Sequence, residues 1–321
     1  MMVLGLQGSP RKKGNTAFLV SEFMRQAESL GAQTCVIEAD KKNIIPCKEY
    51  IVCEKKGFCP IKDDMDDIYC QLREAEVVVM ATPVFFYNTT AQLKALIDRT
   101  QTLWARKYKL NLTDPLRKTR RGFMLAVGAT KGKNLFEGLH LTAKYFFDAV
   151  GASYDGSLTY WKIEHPGDME KHPTVREEVQ EAVKNLLTPL MNRKKILFAC
   201  IGNTCRSQMA AAFAQYLGGD KIESLSGGSR PEEKINPVMV EAMKEKGIDM
   251  AFRHPKSIAS AIEKTKPEMI ITMGCSEECP VVPGAKRENW NLPDPAGRDI
   301  EFMRQVRDEI EQRVSALIKT L

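Results

Sequence analysis

The chain has 321 residues, 43% of them apolar and 27% charged, with a net charge of +6. These values fit a globular protein of two ordinary domains. No apolar run reaches membrane-spanning length. Lys and Arg are spread along the chain, a distribution that suits small anions and gives no footprint for nucleic acid or a membrane surface.

In chain order, the strand MMVLGL is followed by the loop GSPRKKGNT and a helix over 15–31. Arg11, Lys12 and Lys13 follow the apolar run instead of preceding it. The segment therefore does not read as a signal peptide, and the expected compartment is the cytoplasm. Further strands are read at TCVIEA, 75–83, 122–128 and 152–161, with helices between them, one of them over 90–107. The helix over 175–192 runs into Arg193, where a boundary is placed with almost no linker. A second series follows: strand 196–200, helix 206–217, strand KIESLS, helix NPVMVEAMKEKG and strand MIITMG. The last helix carries Met303, Val306, Ile310, Val314, Leu317 and Leu321 on one face. Strands alternating with helices predict an α/β chain of two three-layer αβα domains with parallel sheets, 1–193 and 194–321.

Nine cysteines in a reducing compartment are not expected to form structural disulfides. Cys35 and Cys70 read as buried filler. The four histidines are scattered, so no metal site is expected from them.

The segment CIGNTCRS holds the most specific chemistry. Gly202 and Asn203 tolerate left-handed backbone, which lets the loop wrap its N–H groups around a tetrahedral oxyanion. The helix starting at Arg206 points its positive end into the same cup. The Arg206 guanidinium can clamp two oxygens. This field favours the thiolate of Cys200, and Ser207 can donate a hydrogen bond to it. The oxyanion set is thus Gly202, Asn203, Thr204, Cys205 and Arg206, with Cys200 as nucleophile.

The stretch CIGNTCRSQMAAAF, with SGGSRPEEKINP and WNLPDPAG, resembles the low-molecular-weight protein tyrosine phosphatases and the thioredoxin-coupled arsenate reductases of the same fold. That resemblance covers nearly all of 195–321. It implies that Asp294 of the DP pair is the general acid. Ala296 and Gly297 stand where phosphatases of aryl phosphates carry aromatics. MIITMGCSEECP supplies Cys275 and Cys279, which only a reductase needs. The implied chemistry is a cascade. Cys200 attacks arsenate, Cys275 attacks Cys200 and releases arsenite, and Cys279 takes over the disulfide. One well-known branch places more residues between its two resolving cysteines.

In the first half, Ser9, Arg11, Asn15 and Thr16 of GSPRKKGNT can hold a phosphate at a helix N-terminus. TPVFFYN ends a central strand with an aromatic loop suited to a flat ring. Together they resemble the NADPH-dependent FMN reductases and iron–sulfur flavoproteins, with a flavodoxin-like fold, over about 1–160. The resemblance implies FMN with its ring on Pro83, Val84, Phe85, Phe86, Tyr87 and Asn88. Gly128 belongs to a third loop, NAD(P)H is the cosubstrate, and the flavin half forms a homodimer. Iron–sulfur members carry four cluster cysteines where this chain has Cys47, Cys53 and Cys59, with Tyr50 at the second position. Four thiolates normally hold such a cluster, so none is expected.

The whole chain then reads as an arsenate reductase fused to an NAD(P)H-dependent FMN reductase, with thioredoxin as a candidate intermediary. Two alternatives differ in class. One joins the flavin reductase to a true phosphatase. The other is a non-catalytic redox-sensing flavoprotein whose second half only binds an oxyanion.

Overall fold

The computed structural model describes residues 1–275, 280 and 282–321. The chain divides into two compact units. Unit 1 is Met1–Asn111 with Thr119–Met191, and unit 2 is Leu112–Lys118 with Asn192–Leu321. The boundary near 193 expected from sequence therefore lacks one feature. The short segment Leu112–Lys118 is part of unit 2, where Thr113 donates its N–H to the Gly247 carbonyl at 2.7 Å and accepts from the Asp249 N–H at 2.8 Å.

Unit 1 runs β1 (Met2–Gln7), α1 (Asn15–Ser29), β2 (Gln33–Glu38), α2 (Val52–Lys56), α3 (Met65–Glu74), β3 (Val77–Pro83), α4 (Ala91–Arg99), α5 (Gln101–Tyr108), β4 (Arg121–Val127), α6 (Glu137–Val150), β5 (Ser153–Tyr160) and α7 (Val175–Met191). Its five strands are parallel in the order β2-β1-β3-β4-β5. Val77 and Val79 pack with Leu19, Val20 and Phe23 of α1 and Val179 and Val183 of α7. The alternate residues Leu4, Leu6, Val78 and Met80 are equally buried, so both sheet faces are covered, as a parallel sheet requires. The single helix expected over 90–107 is two helices, because Thr100 interrupts it and accepts the N–H groups of Leu103 and Trp104.

Unit 2 runs β6 (Lys194–Cys200), α8 (Arg206–Gly218), β7 (Ile222–Gly228), α9 (Pro237–Glu245), α10 (Ile258–Lys264), β8 (Met269–Met273), β9 (Lys286–Asn289) and α11 (Ile300–Lys319). The sheet is parallel, in the order β7-β6-β8-β9. The sequence reading missed β9, an exposed strand of four charged and polar residues with no apolar pattern, and α10. On β6, Ile196, Phe198 and Cys200 face a cluster with α8, α9 and α11, whereas Leu197 and Ala199 face the α10 side. This is the period-two alternation of a strand. In both sheets the chain leaves a central strand in opposite directions, β1 in unit 1 and β6 in unit 2. The crevice above such a strand's carboxyl end is where open α/β sheets bind ligands.

Candidate active site

In unit 2 the nucleophile loop fills that crevice. Its carbonyls turn outward: those of Cys200, Ile201, Gly202 and Thr204 accept from the N–H groups of Ser229, Arg230, Glu232 and Asn236 at 3.1, 2.9, 3.1 and 3.2 Å. The Asn203 N–H points the other way and donates to Cys200 Sγ at 3.2 Å. Asn203 is fully buried with φ 53°, a left-handed residue of the kind Asn tolerates. Its side chain donates to Ser207 Oγ at 2.7 Å and accepts from Gln208 Nε2 at 3.1 Å and from the Lys256 N–H at 2.8 Å. Ser207 Oγ lies 2.9 Å from Cys200 Sγ. The loop needs glycine behind it as well: a Cβ on Gly228 would lie 2.5 Å from the Ile201 carbonyl.

α8 begins without a side-chain cap or an acidic residue in its first turn, so its N-terminal amides remain for an anion. Arg206 is 5% exposed and donates to the Leu292 carbonyl at 3.2 Å and to Asp294 Oδ2 at 2.7 Å. Thr204 is buried beside it. Burial pushes the Cys205 thiol up to about 11 against a hydrogen bond with Thr204, which suits a filler and not a second nucleophile. Cys275 follows β8, whose Met273 is the register partner of Cys200. Between them Gly274 has φ +85°, and a Cβ there would lie 2.9 Å from the Arg206 guanidinium. Yet the buried Cys275 side chain packs with Leu197, Ala199, Ile258, Ala261 and Ile270, on the α10 side of the sheet. Cys200 belongs to the opposite face. Cys279 lies outside the described residues.

In unit 1 three loops gather at the carboxyl ends of β1, β3 and β4. The Gly8 N–H donates to the Ala81 carbonyl, and Thr90 Oγ1 to the Gly8 carbonyl, both at 2.7 Å, which ties the first two together. Gly14 precedes α1 at the capping position and offers no side-chain cap, and the first turn holds no acidic residue. Ser9 and Thr16 are buried there, and Ser9 Oγ accepts from the Arg11 N–H. Asn15 has both amide ends engaged, donating to the His165 carbonyl and accepting from the Met169 N–H. Pro83 and Val84 lead into a tight turn in which Phe85 and Asn88 exchange backbone hydrogen bonds of 2.9 Å. Phe86 and Tyr87 form its tip with φ 47° and 63°. Such a turn favours Asn-Gly, so the two aromatics sit there against local preference, the kind of strain found at ligand clamps. Gly128 is bonded to Tyr160, and past it lies a cavity of about 470 Å³ lined by Lys131, Leu135, Phe136, His140 and Trp161.

Residues 195–321 match the family described as low molecular weight phosphotyrosine protein phosphatase. Arsenate reductase 2 of Staphylococcus haemolyticus is 36% identical over 130 residues, 39% of this chain and 97% of that protein. Through this half, the chain belongs to the arsenate reductase family. A solved arsenate reductase in its phosphate-binding state is 32% identical over 40% of this chain and 98% of that one, with a TM-score of 0.36. Residues 1–139 match the family described as NADPH-dependent FMN reductase. An iron–sulfur flavoprotein of Methanocaldococcus jannaschii is 40% identical over 103 residues, 32% of this chain. The chain spans only 53% of that protein's length.

The arsenate reductase half thus carries its thiols on two faces of one sheet end. Sequence reasoning did not single out Gln208 or Gly274. The signal for Gln208 was its place one residue past the loop serine, and for Gly274 its place at a strand end beside a cysteine. In the FMN reductase-like half, the uncapped start of α1 and its buried hydroxyls fit a phosphate. The segment with Cys47, Cys53 and Cys59 does not fit a four-thiolate cluster: Tyr50 stands exposed where a fourth thiol is needed. Among the described residues, no three His, Cys, Asp or Glu side chains are set to hold a metal ion. No described helix is long and apolar enough to cross a membrane.

Proposed function

We propose that the protein reduces arsenate to arsenite at Cys200, with electrons supplied from a nicotinamide through its first half. The observation that carries this reading is the loop that aims the Asn203 N–H at Cys200 while Arg206 and Asp294 close the cup. An entering oxyanion competes for Arg206 and frees Asp294 to protonate the leaving oxygen. The Cys200 thiolate forms a sulfur–arsenic bond as that oxygen departs as water. Cys275 then attacks Cys200 Sγ. The sulfur–sulfur bond forms, the sulfur–arsenic bond breaks, and its electron pair reduces arsenic to the trivalent state. Cys279 attacks Cys275 and returns Cys200 as a thiolate. The step at Cys275 requires that side chain to leave its apolar cluster.

Ser9, Arg11 and Thr16, with the first amides of α1, would hold the FMN phosphate, and residues 83–88 with Gly128 would flank its ring. FMN, when bound, supplies a carrier that accepts hydride from a nicotinamide and passes on two electrons. Thioredoxin is the other candidate reductant. The compartment expected for this chemistry is the cytoplasm.

A second reading, a phosphatase beside an independent flavin reductase, is favoured by the position of Cys275 on the opposite sheet face. Anaerobic turnover with NADPH, FMN and arsenate, with and without thioredoxin, separates the two. Cys275→Ser is expected to abolish arsenate turnover while leaving slow hydrolysis of para-nitrophenyl phosphate intact. Wild-type arsenate turnover by that variant would refute the cascade through Cys275, and absence of arsenate turnover by the unsubstituted protein, with phosphate ester hydrolysis present, would favour the second reading.

A further inference from the structure

The cavity beyond Gly128 lies at one end of the row of loops in unit 1. The sheet order puts the start of α1 after β1, the aromatic turn after β3, and the cavity walls after β4 and β5. Neighbouring strands stand about 4.8 Å apart, so β5 is about 14 Å from β1 and the cavity is well away from the uncapped start of α1.

Its walls are fixed by backbone contacts. Gly128 donates to the Tyr160 carbonyl at 2.7 Å and accepts from the Ile163 N–H at 3.0 Å. The two residues between, Trp161 and Lys162, are held out as a tight exposed loop, with Lys162 at φ 60°. In the segment after β4, Leu135 and Phe136 are buried, and His140 Nδ1 is paired with the Tyr154 hydroxyl at 2.7 Å. The aromatic turn seats directly on this segment. A Cβ on Gly132 would lie 2.7 Å from the Tyr87 hydroxyl, and one on Gly138 would lie 2.4 Å from the Tyr87 carbonyl. The cavity therefore adjoins the residues expected to flank a flavin ring.

The lining has an aromatic part and a cationic part. Phe136 and Trp161 offer ring surface, and Trp161 is 50% exposed, so a face is open for stacking. Lys131 Nζ stands 5.5 Å over the Trp161 ring. Lys131, Lys133 and Lys162 have no carboxylate partner among the described residues, and the last two are close chain neighbours of the lining. The volume of about 470 Å³ falls within the range of small-molecule sites, about 300–1,000 Å³.

We infer that this cavity receives the adenosine 2′-phosphate end of NADPH and selects it over NADH. The purine stacks on Trp161, and the 2′-phosphate takes Lys131, which binds it as a point charge. The inference rests on the reading of unit 1 as a flavin domain that oxidises a nicotinamide. A nicotinamide set on a ring at residues 83–88 leaves the rest of an extended dinucleotide to run onward, and the adjoining recess supplies what its far end needs. NADH has no phosphate there and leaves Lys131 on the indole ring.

The test uses the full chain, with FMN and without it, and two probes that need no turnover, adenosine 2′,5′-bisphosphate and adenosine 5′-phosphate. By calorimetry the bisphosphate is expected to bind at least about tenfold tighter in both forms of the protein. Lys131→Ala should bring that preference close to one, and Lys131→Arg should restore it. The ratio of kcat/KM for NADPH over NADH should fall about tenfold in the alanine variant and not in the arginine variant. Trp161→Ala should weaken both probes about tenfold. Equal affinity for the two probes in the unsubstituted chain, an unchanged preference in Lys131→Ala, or displacement of the bisphosphate by one equivalent of FMN overturns the proposal. FMN reduction by NADPH with no bisphosphate binding also overturns it and leaves the nicotinamide reading intact. Bisphosphate binding that depends on Lys131 in a protein unable to oxidise NADPH would remove that reading and leave this site standing.

Discussion

Asn203→Ala tests whether one buried amide shapes the oxyanion loop. The side chain makes three hydrogen bonds, to Ser207, Gln208 and the Lys256 N–H, and is fully buried. At about 0.5–1.5 kcal/mol each, their loss amounts to roughly 3 kcal/mol. Alanine at φ 53° adds left-handed strain of about 1 kcal/mol. The expected loss is therefore about 4 kcal/mol of unit 2 stability. Asn203→Gly loses the same bonds but not the strain, and should recover up to about 1 kcal/mol, less the greater entropy of an unfolded glycine. Trp290 is buried in unit 2 and Trp104 and Trp161 lie in unit 1. Urea titration followed by Trp290 fluorescence in a Trp104→Phe, Trp161→Phe background thus reports the relevant transition. A loss below about 1 kcal/mol in the alanine variant, with cysteine alkylation still slowed by phosphate, would refute the reasoning.

Arg11→Ala should weaken FMN binding by about 1.5–3 kcal/mol, the range of a hydrogen bond to a charged group; unchanged affinity by fluorescence titration removes Arg11 from the phosphate site. Asp63→Ala leaves the buried Arg99 guanidinium uncompensated and should cost unit 1 about 3–5 kcal/mol in denaturant titration; a loss within 1 kcal/mol would contradict the assigned burial. In unit 2, hydrogen bonds from Arg304 first, opposed by burial and reinforced by Arg307, hold the Glu245 carboxyl down to about 2. Because the folded value lies below the unfolded one, this stabilisation is present above about pH 4.5 and is lost as pH falls towards 2; Glu245→Gln should flatten that part of the acid unfolding curve, and an unchanged curve would show the pairs are inert.

The two parallel-sheet units were legible because buried strands leave apolar runs and the helices between them leave a 3.6-residue period. The nucleophile loop was legible because its chemistry is local: Cys200, Asn203, Arg206 and Ser207 lie within one turn and one helix start. What escaped depended on distant chain. β9 has no apolar face to betray it. Thr100 breaks a helix whose pattern runs on across it. Leu112–Lys118 leaves the unit that surrounds it in sequence, because its backbone pairs with Gly247 and Asp249, far along the chain.

The sequence by itself determined which residue types stand at which strand ends, since a nucleophile, a clamp and a helix start were written in consecutive letters. Only the tertiary structure decided how they are held. Asn203 is fixed by Lys256 and Gln208, the loop carbonyls by 229–236, and Arg206 by Asp294. It also set Cys275 on the sheet face opposite Cys200. Sequence order placed that cysteine just past the neighbouring strand, but once a chain leaves the strand the period-two alternation no longer fixes which face a side chain takes. The side on which Cys275 lies was then settled by the apolar surface of α10, which no spacing along the chain encodes.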